Sequence, residues 1–123
     1  SIIKVIGYEE TDEKFYIIME LCHGGELLEK LHEKEVFTEA EAWSIISQVL
    51  AGVHYCHKNN IVIGKSNYYL LILSDLKLEN ILFLDKDSPQ IKIIDFGCSK
   101  RASKSQTLKG FCGSIYYMSP ESI

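Results

Sequence analysis

The first part of the chain alternates between apolar and polar segments. β-branched and aromatic residues dominate residues 2–8 and 15–19, and polar residues fill the interval 9–14. Runs of this length and composition, separated by a polar interval, are typical of neighbouring antiparallel strands. The pattern therefore predicts a hairpin at the start of the chain.

Two shorter apolar runs, at residues 81–84 and 91–94, repeat this arrangement later in the sequence. The interval 85–89 reads Asp-Lys-Asp-Ser-Pro, which is the composition of a turn. The sequence predicts a second hairpin here.

Helical patterns occupy the region between the two hairpins. Residues 24–25 are both glycine and interrupt the chain, and the acid that follows favours a short helix over about residues 26–34. A capping box at residues 38–41 begins a second helix that reaches about residue 58, since its Thr and Glu side chains can bind the free backbone donors of the first turn. We expect one face of this helix to pack in the core; the face carries Trp43, Ile46, Val49, Leu50, Val53 and Cys56.

Four polar residues lie at one edge of the second predicted hairpin. Three precede its first strand and one directly follows its second strand, so the hairpin brings them to the same edge. Mg²⁺ prefers oxygen ligands, a transferred phosphoryl group needs positive charge near its oxygens, and an incoming hydroxyl needs a carboxylate to orient it. The set, which suits this chemistry, is Asp75, Lys77, Asn80 and Asp95.

At these positions the chain resembles the eukaryotic protein kinases. Residues 75–80, Asp-Leu-Lys-Leu-Glu-Asn, match the catalytic loop of that family, and residues 95–97, Asp-Phe-Gly, match its metal-binding motif. Lys77 resembles the serine/threonine branch. The resemblance implies an incomplete α+β protein kinase-like fold over residues 1–123, from the end of the small lobe through the hinge and the first part of the helical large lobe to the activation segment.

The resemblance also implies a role for each residue of the set. Asp75 is expected to orient a Ser or Thr hydroxyl and accept its proton, and Lys77 to neutralise the γ-phosphate of ATP. Asn80 joins them as a catalytic residue, and Asn80 and Asp95 are expected to hold Mg²⁺. The implied cofactors are therefore ATP and Mg²⁺.

A nucleotide-binding hinge is expected at residues 20–23. The resemblance places Met19 behind the hinge and assigns the adenine contacts to the backbone of Glu20 and Cys22, although Met and free Cys are also common as simple core residues. Glu26 would hold the ribose or a basic residue of the substrate; the alternative is a solvated carboxylate at a helix start. Two further residues would line the adenine pocket, Leu82 and Ile94.

The chain departs from the family before the catalytic loop. The family has a His-Arg pair directly before the catalytic Asp, and residues 63–74 stand in its place. Either this segment is a real loop, which loop-closure entropy permits, or it is translated non-coding sequence. The apolar run at residues 68–73 is poor loop composition and favours the second explanation.

The last part of the chain matches the activation and substrate-docking segments of the family. Residues 102–109 are rich in Ser, Lys and Thr, and they are either a phosphorylation segment or a solvated linker. Residues 113–121 resemble the segment that ends in Ala-Pro-Glu, with Ser at 114 and 119 in place of the usual Thr and Ala.

Composition and charge narrow the function classes. The 46% of hydrophobic residues is enough for a core, and the net charge of −4 argues against a nucleic-acid partner. The longest apolar run falls far short of the roughly 20 residues of a membrane span. The four cysteines form no Cys-x-x-Cys pair, so we expect reduced thiols in a cytoplasmic or nuclear protein.

The expected function of the parent domain is ATP-dependent phosphorylation of protein serine or threonine hydroxyls. Glu26 and Glu79 would favour protein substrates with basic residues before the phosphorylated position. The glycine-rich loop, the strand Lys and the C-terminal helices of the family are absent from these 123 residues, so we expect a fragment without appreciable activity. A pseudokinase or scaffold is the alternative. The hinge sequence is most similar to the calcium/calmodulin-dependent and calcium-dependent kinases, whose calcium control would lie outside this chain.

Overall fold

A computed structural model describes residues 1–63, 76–97, 99–101 and 115–117. Its elements are small antiparallel sheets and two consecutive helices, and every sheet within the described residues has two strands. In chain order they are β1 (Val5–Glu10), β2 (Phe15–Met19), α1 (Leu27–Lys34), α2 (Glu39–Lys58), β3 (Ile61–Ile63), β4 (Ile81–Phe83), β5 (Ile91–Ile93) and β6 (Ser99–Arg101), with single 3-10 turns at Leu78–Asn80 and Ile115–Tyr117.

The first predicted hairpin is confirmed. Strands β1 and β2 pair antiparallel from Val5 opposite Met19 to Glu10 opposite Phe15. The rings of Tyr8 and Phe15 stack with their centroids 5.4 Å apart. Both strands are largely exposed on the two faces.

The start of the chain does not belong to this hairpin, which corrects the strand expected over residues 2–8. Ile2 forms a parallel bridge with Ile93. The Ile3 N–H donates to the Ile93 carbonyl at 3.0 Å, and the Ile93 N–H donates to the Ser1 carbonyl at 2.7 Å. The apolar run therefore serves two sheets, and its composition alone does not show where one ends.

The second predicted hairpin is also confirmed, and it is the centre of the molecule. Strands β4 and β5 pair antiparallel, with Ile81 opposite Ile93 and Phe83 opposite Ile91. These four side chains are all buried. Since the initial segment lies on the other side of β5, that strand is hydrogen-bonded along both edges.

Helix α2 covers the hairpin with a stripe that differs in part from the predicted face. The buried residues on it are Ile45, Val49, Gly52, Val53 and Cys56, which recur at three- and four-residue steps.

A second apolar stripe on the same helix is exposed, and here the predicted core was wrong. Trp43 is 72% exposed, Ile46 51% and Leu50 57%. These residues are also spaced by three and four positions, so they lie together on another face of α2. The single face predicted from periodicity combined residues of both stripes, because the spacing does not show which residues the hairpin covers.

Gln48 joins α2 to the hairpin. Its side-chain amide donates to the Pro89 carbonyl at 2.8 Å and accepts from the Ile91 N–H at 3.0 Å. At Gly52 an added Cβ would lie 2.9 Å from Ile93 Cδ1, so the helix approaches β5 closely. These contacts fix the hairpin, and with it the residues at its edge.

Both predicted helix starts are confirmed. Glu26 is the N-cap residue of α1, and its N–H donates to Glu29 Oε2 at 3.2 Å. Thr38 caps α2, and the Thr38 and Glu41 side chains form the expected capping box. Lys34, at the end of α1, pairs with Glu41 and so links the two helices.

A short strand, β3, follows α2 and pairs with β6, a pairing that the sequence did not predict. Ile61 lies opposite Arg101 and Ile63 opposite Ser99 in an antiparallel ladder with β6. The proposed insert, apart from Ile63, lies outside the described residues. Among the helices that the structure describes, none combines the length and apolar character needed to traverse a bilayer.

Candidate functional site: the edge of the second hairpin and the adjoining hinge

The 3-10 turn before β4 places two of the predicted catalytic residues. Lys77 is its N-cap residue and accepts, through its carbonyl, the N–H of Asn80 at 3.0 Å. Asn80 is only 7% exposed and is the buried polar residue of the described core. Asp75, the expected proton acceptor, lies outside the described residues.

Asp95 is brought to the same edge by a backbone hydrogen bond. The Ile94 N–H donates to the Asn80 carbonyl at 2.9 Å, so the residue directly after Ile94 lies beside the end of the turn. Asp95 has a φ of +61°, a left-handed conformation that is uncommon for a residue other than glycine. The predicted grouping of Asn80 and Asp95 is thus present at the level of the backbone.

The conformation of Asp95 is supported on both sides. Its Oδ1 accepts the Gly97 N–H at 2.9 Å. Phe96 packs against the buried cluster under the hairpin. The carboxylate is exposed while its neighbours are anchored, which leaves it accessible to a ligand.

The donor set is suited to a hard divalent cation. An amide oxygen from Asn80 and a carboxylate from Asp95 are oxygen ligands of the kind that Mg²⁺ takes, with its remaining positions filled by phosphate or water. Lys77 adds positive charge on the same turn. The residues present therefore fit a magnesium-phosphate group.

The hinge follows β2 and joins the hairpin through two backbone bonds. The His23 N–H donates to the Leu84 carbonyl at 3.0 Å, and the Gly24 N–H donates to the Phe83 carbonyl at 3.1 Å. An added Cβ at Gly24 would lie 2.4 Å from Phe83 Cβ, so this approach requires glycine. From the sequence, Gly24 was predicted only to interrupt the chain.

The backbone groups expected to meet adenine are available. Within the described part of the chain, neither the Glu20 carbonyl nor the N–H and carbonyl of Cys22 makes a hydrogen bond. The flanking Glu20 and His23 N–H groups are both bonded to the protein. The hinge backbone therefore presents two acceptors, the Glu20 and Cys22 carbonyls, and one donor, the Cys22 N–H. This set is complementary to the edge of a purine.

The side chains around this segment divide into exposed and half-buried ones. Met19 is 47% exposed, so in the described structure it is not a core residue. Cys22 is half-buried, and burial raises the pKa of its thiol, with the Glu20 carboxylate as a smaller cause.

The two predicted pocket residues occupy the side of the hairpin away from the core. Leu82 is half-buried and forms an antiparallel bridge with Glu26, which connects the hinge exit to β4. Ile94 is also half-buried. Because side chains alternate along strands, Leu82 lies on the opposite face from Ile81 and Phe83.

A carboxylate–lysine pair that the sequence did not predict binds the hinge to β5. Glu20 Oε1 accepts from Lys92 Nζ at 2.7 Å and from the Lys4 N–H at 2.8 Å. Hydrogen bonding from Lys92, and then from Lys4, lowers the pKa of the Glu20 carboxyl. The only sequence signal was a single charged residue within the apolar run at 91–94, which is also common on solvated strands.

A second contact that the sequence did not predict joins the 3-10 turn at Leu78–Asn80 to Tyr117. The Tyr117 hydroxyl donates to Glu79 Oε2 at 3.1 Å. Desolvation, followed by the bond to Glu79, raises the pKa of Tyr117.

A cavity of about 580 Å³ lies elsewhere, between α1, the start of α2 and the turn of the second hairpin. Of the predicted site residues that the structure describes, none lines this cavity.

Comparison with known proteins gives matches over nearly the whole chain. A family model described as protein kinase domain matches residues 1–123. Calcium-dependent protein kinase 5 of Plasmodium falciparum (isolate 3D7) is 40% identical over 123 residues, which are 98% of this chain and 20% of that protein. CDPK-related kinase 7 of Arabidopsis thaliana is 41% identical over 114 residues, 91% of this chain and 18% of that protein.

NUAK family SNF1-like kinase 1 of Homo sapiens is 42% identical over 120 residues, 98% of this chain and 16% of that protein. The chain thus spans a fifth or less of the length of these curated relatives.

Proposed function

This chain belongs to the protein kinase family, and from that premise we propose that the full-length protein transfers the γ-phosphoryl group of ATP to serine or threonine hydroxyls of proteins. The observation that carries the proposal is the 2.9 Å bond from the Ile94 N–H to the Asn80 carbonyl. It brings the two predicted metal-binding residues, Asn80 and Asp95, to one edge of a fixed hairpin.

The proposed chemistry depends on placement and charge. Asp75 orients the substrate hydroxyl and accepts its proton, and the Lys77 ammonium compensates the charge of the transferred group. Asn80 and Asp95 would hold the metal. When bound there, Mg²⁺ would compensate the negative charge on the phosphate oxygens.

The hinge is proposed to bind the adenine of ATP. The Glu20 carbonyl and the Cys22 N–H and carbonyl, which have no partner among the described residues, are complementary to a purine edge. Leu82 and Ile94 would contact its faces. The bridge between Glu26 and Leu82 supports this arrangement, because it sets the hinge exit beside the strand that carries the pocket residue.

Two carboxylates are proposed to select substrates with basic residues before the phosphorylated position. Glu26 is half-buried at the start of α1, and Glu79 is half-buried within the 3-10 turn at Leu78–Asn80. The Tyr117 hydroxyl occupies one oxygen of Glu79 but leaves its negative charge in place.

A pseudokinase remains the second candidate, favoured by the absence of the family's His-Arg pair before Asp75. Such a protein would bind nucleotide or partners without transferring phosphate. The residues retained at the hairpin edge have their clearest use in phosphoryl transfer, which is why we favour the kinase.

The test uses the full-length protein with Mg-ATP and a Ser-containing basic peptide. We expect Asp75→Asn and Asp95→Asn each to lower kcat/KM by about 100-fold or more, as the loss of a proton acceptor or of preorganised charge does. Asp87→Asn is the matched control, because Asp87 is an exposed carboxylate on the turn of the same hairpin. Nucleotide binding without phosphorylation by the unmodified protein would favour the pseudokinase.

We propose calcium control from the relatives, since the similar Plasmodium falciparum protein is named calcium-dependent protein kinase 5. Phosphorylation by the full-length protein should then rise on adding Ca²⁺ and fall on adding a chelator. Equal rates in both conditions would remove this part of the proposal.

A further inference from the structure

Lys92 lies on the pocket side of the second hairpin. Its neighbours along β5, Ile91 and Ile93, are 1% and 2% exposed and face the core. Since strand side chains alternate, Lys92 lies on the other face. Its cross-strand partner is Leu82, a residue proposed to contact adenine.

The partner of Lys92 is the first residue of the hinge. The Glu20 carboxylate accepts from Lys92 Nζ at 2.7 Å and from the Lys4 N–H at 2.8 Å. The Glu20 N–H donates to the Lys4 carbonyl at 3.0 Å. Glu20 therefore connects three separate segments: the start of the chain, the hinge and β5.

The ion pair is partly removed from water. The side chains of Lys92 and Glu20 are 20% and 23% exposed. Charges in such a position are screened less than exposed ones, and the extra bond from Lys4 fixes the carboxylate further. The pair is thus suited to hold one segment against another.

The segments that it joins carry different parts of the proposed nucleotide site. Glu20 begins the backbone segment whose groups are available to adenine, and Lys92 lies in β5, three residues before Asp95, which follows the end of that strand. We propose that Lys92 is a positioning residue, which through Glu20 holds the adenine-binding hinge at a fixed distance from the metal-binding edge.

This inference rests on the proposed function, and it concerns the affinity for nucleotide. A hinge that moves relative to β5 must be ordered when ATP binds, and that ordering lowers affinity. The chemical step takes place at the other end of the triphosphate. Breaking the pair should therefore raise KM for ATP and leave kcat nearly unchanged.

The principal variant is Lys92→Met in the full-length protein, which removes the charge and keeps a long apolar side chain. Lys92→Arg is the conservative variant that can restore the pair. Glu20→Gln keeps an oxygen acceptor for Lys4 but removes the negative charge. Lys86→Met is the matched control, because Lys86 is an exposed lysine on the turn of the same hairpin.

We expect Lys92→Met to raise KM for ATP by about three- to fivefold, the range given by the upper end of measured ion-pair energies. Glu20→Gln should shift KM in the same direction. The KM for ATP of Lys92→Arg and of Lys86→Met should stay close to that of the unmodified protein. A KM that is equal in Lys92→Met and Lys86→Met, or that falls in Lys92→Met, would overturn the proposal.

Hydrogen exchange separates this proposal from the proposed function. Lys92→Met should speed exchange of the Lys4, Glu20 and His23 amides, whose bonds hold the hinge, and Lys86→Met should not. Unchanged exchange at these amides would overturn the positioning role even in an active kinase. If the unmodified protein does not bind Mg-ATP, the proposed function fails, and the role of the hinge in nucleotide binding fails with it. Faster exchange in Lys92→Met would still establish that the Lys92–Glu20 pair holds the hinge against β5.

Discussion

At the scale of single residues, the hinge depends on a position where no side chain fits. Gly24 is buried, and a Cβ there would lie 2.4 Å from Phe83 Cβ and 2.6 Å from the Asp85 carbonyl oxygen. Both contacts involve the main chain or the first side-chain atom, which cannot rotate away. Glycine at this position lets the hinge exit lie directly against β4.

We therefore expect Gly24→Ala to destabilise the protein by about 1–3 kcal/mol, the usual cost of overpacking a well-packed site. Gly7→Ala is the control, because no heavy atom lies within 4 Å of a Cβ built at Gly7. Urea unfolding of the two variants and the unmodified protein measures the difference. Equal midpoints for Gly24→Ala and Gly7→Ala would show that the hinge exit is not packed as described.

The sequence led to a prediction for the polar residues of the candidate site but not for the residues that support them. Asn80 and Asp95 were proposed as metal ligands because their types and spacing fit metal and phosphate, and the structure brings their backbones to one edge. Lys92 and Gly24 were not identified, because a lysine in a strand or a glycine after a strand has many uses. Their roles depend on partners distant in sequence, Glu20 and Phe83.

At the scale of elements, the helix starts were predictable because capping is local. The Thr38 hydroxyl accepts the Glu41 N–H at 3.3 Å, and Glu41 Oε2 accepts the Thr38 N–H at 2.9 Å. The partners are three residues apart, so the pattern in the sequence contains the whole interaction. The link from Glu41 to Lys34 could not be predicted in this way, because it depends on how α1 and α2 pack.

The hydrogen bonds among Lys34, Thr38 and Glu41 lead to a prediction about unfolding in acid. Hydrogen bonds from Lys34 and then from Thr38 lower the pKa of Glu41 from 4.5 to about 2. A carboxyl with a lowered folded pKa contributes stability that is complete above the unfolded value and is lost as pH falls through the folded value. We expect this contribution to disappear between pH 4.5 and about 2.

Glu41→Gln tests this expectation. The free energy of unfolding of the unmodified protein and of Glu41→Gln should differ at neutral pH and converge across that acid range. Glu39→Gln is the control, an exposed carboxylate in the same first turn of α2. A difference between Glu41→Gln and the unmodified protein that stays constant with pH would contradict the assigned interaction.

At the scale of the whole molecule, both hairpins and both helices were predictable from their periods, whereas their partners were not. The run at residues 2–8 contributes to two sheets, and α2 carries two apolar stripes of similar spacing. The period of the apolar residues shows whether a segment is a helix or a strand, and which of its residues share a face. It does not give the face that another element will cover, since that depends on the assembled fold.

The uncovered stripe of α2 has a consequence for the 123-residue chain by itself. Trp43, Ile46 and Leu50 form an exposed apolar face, and the strands of the first hairpin expose further large side chains. Contiguous apolar surface of this kind binds hydrophobic dyes and promotes association. We expect the isolated chain to enhance the fluorescence of such a dye strongly and to associate as its concentration rises.

A variant with Trp43→Gln, Ile46→Gln and Leu50→Gln should reduce both effects, because it removes the stripe while the buried stripe with Val49 and Val53 remains. The matched control is Val49→Gln, which places a polar group in the core and should increase dye binding by loosening the fold. Light scattering and dye titration measure both. If the triple variant bound as much dye as the unmodified chain, the stripe would be covered in solution, and the exposed face of α2 would not be a surface of the isolated chain.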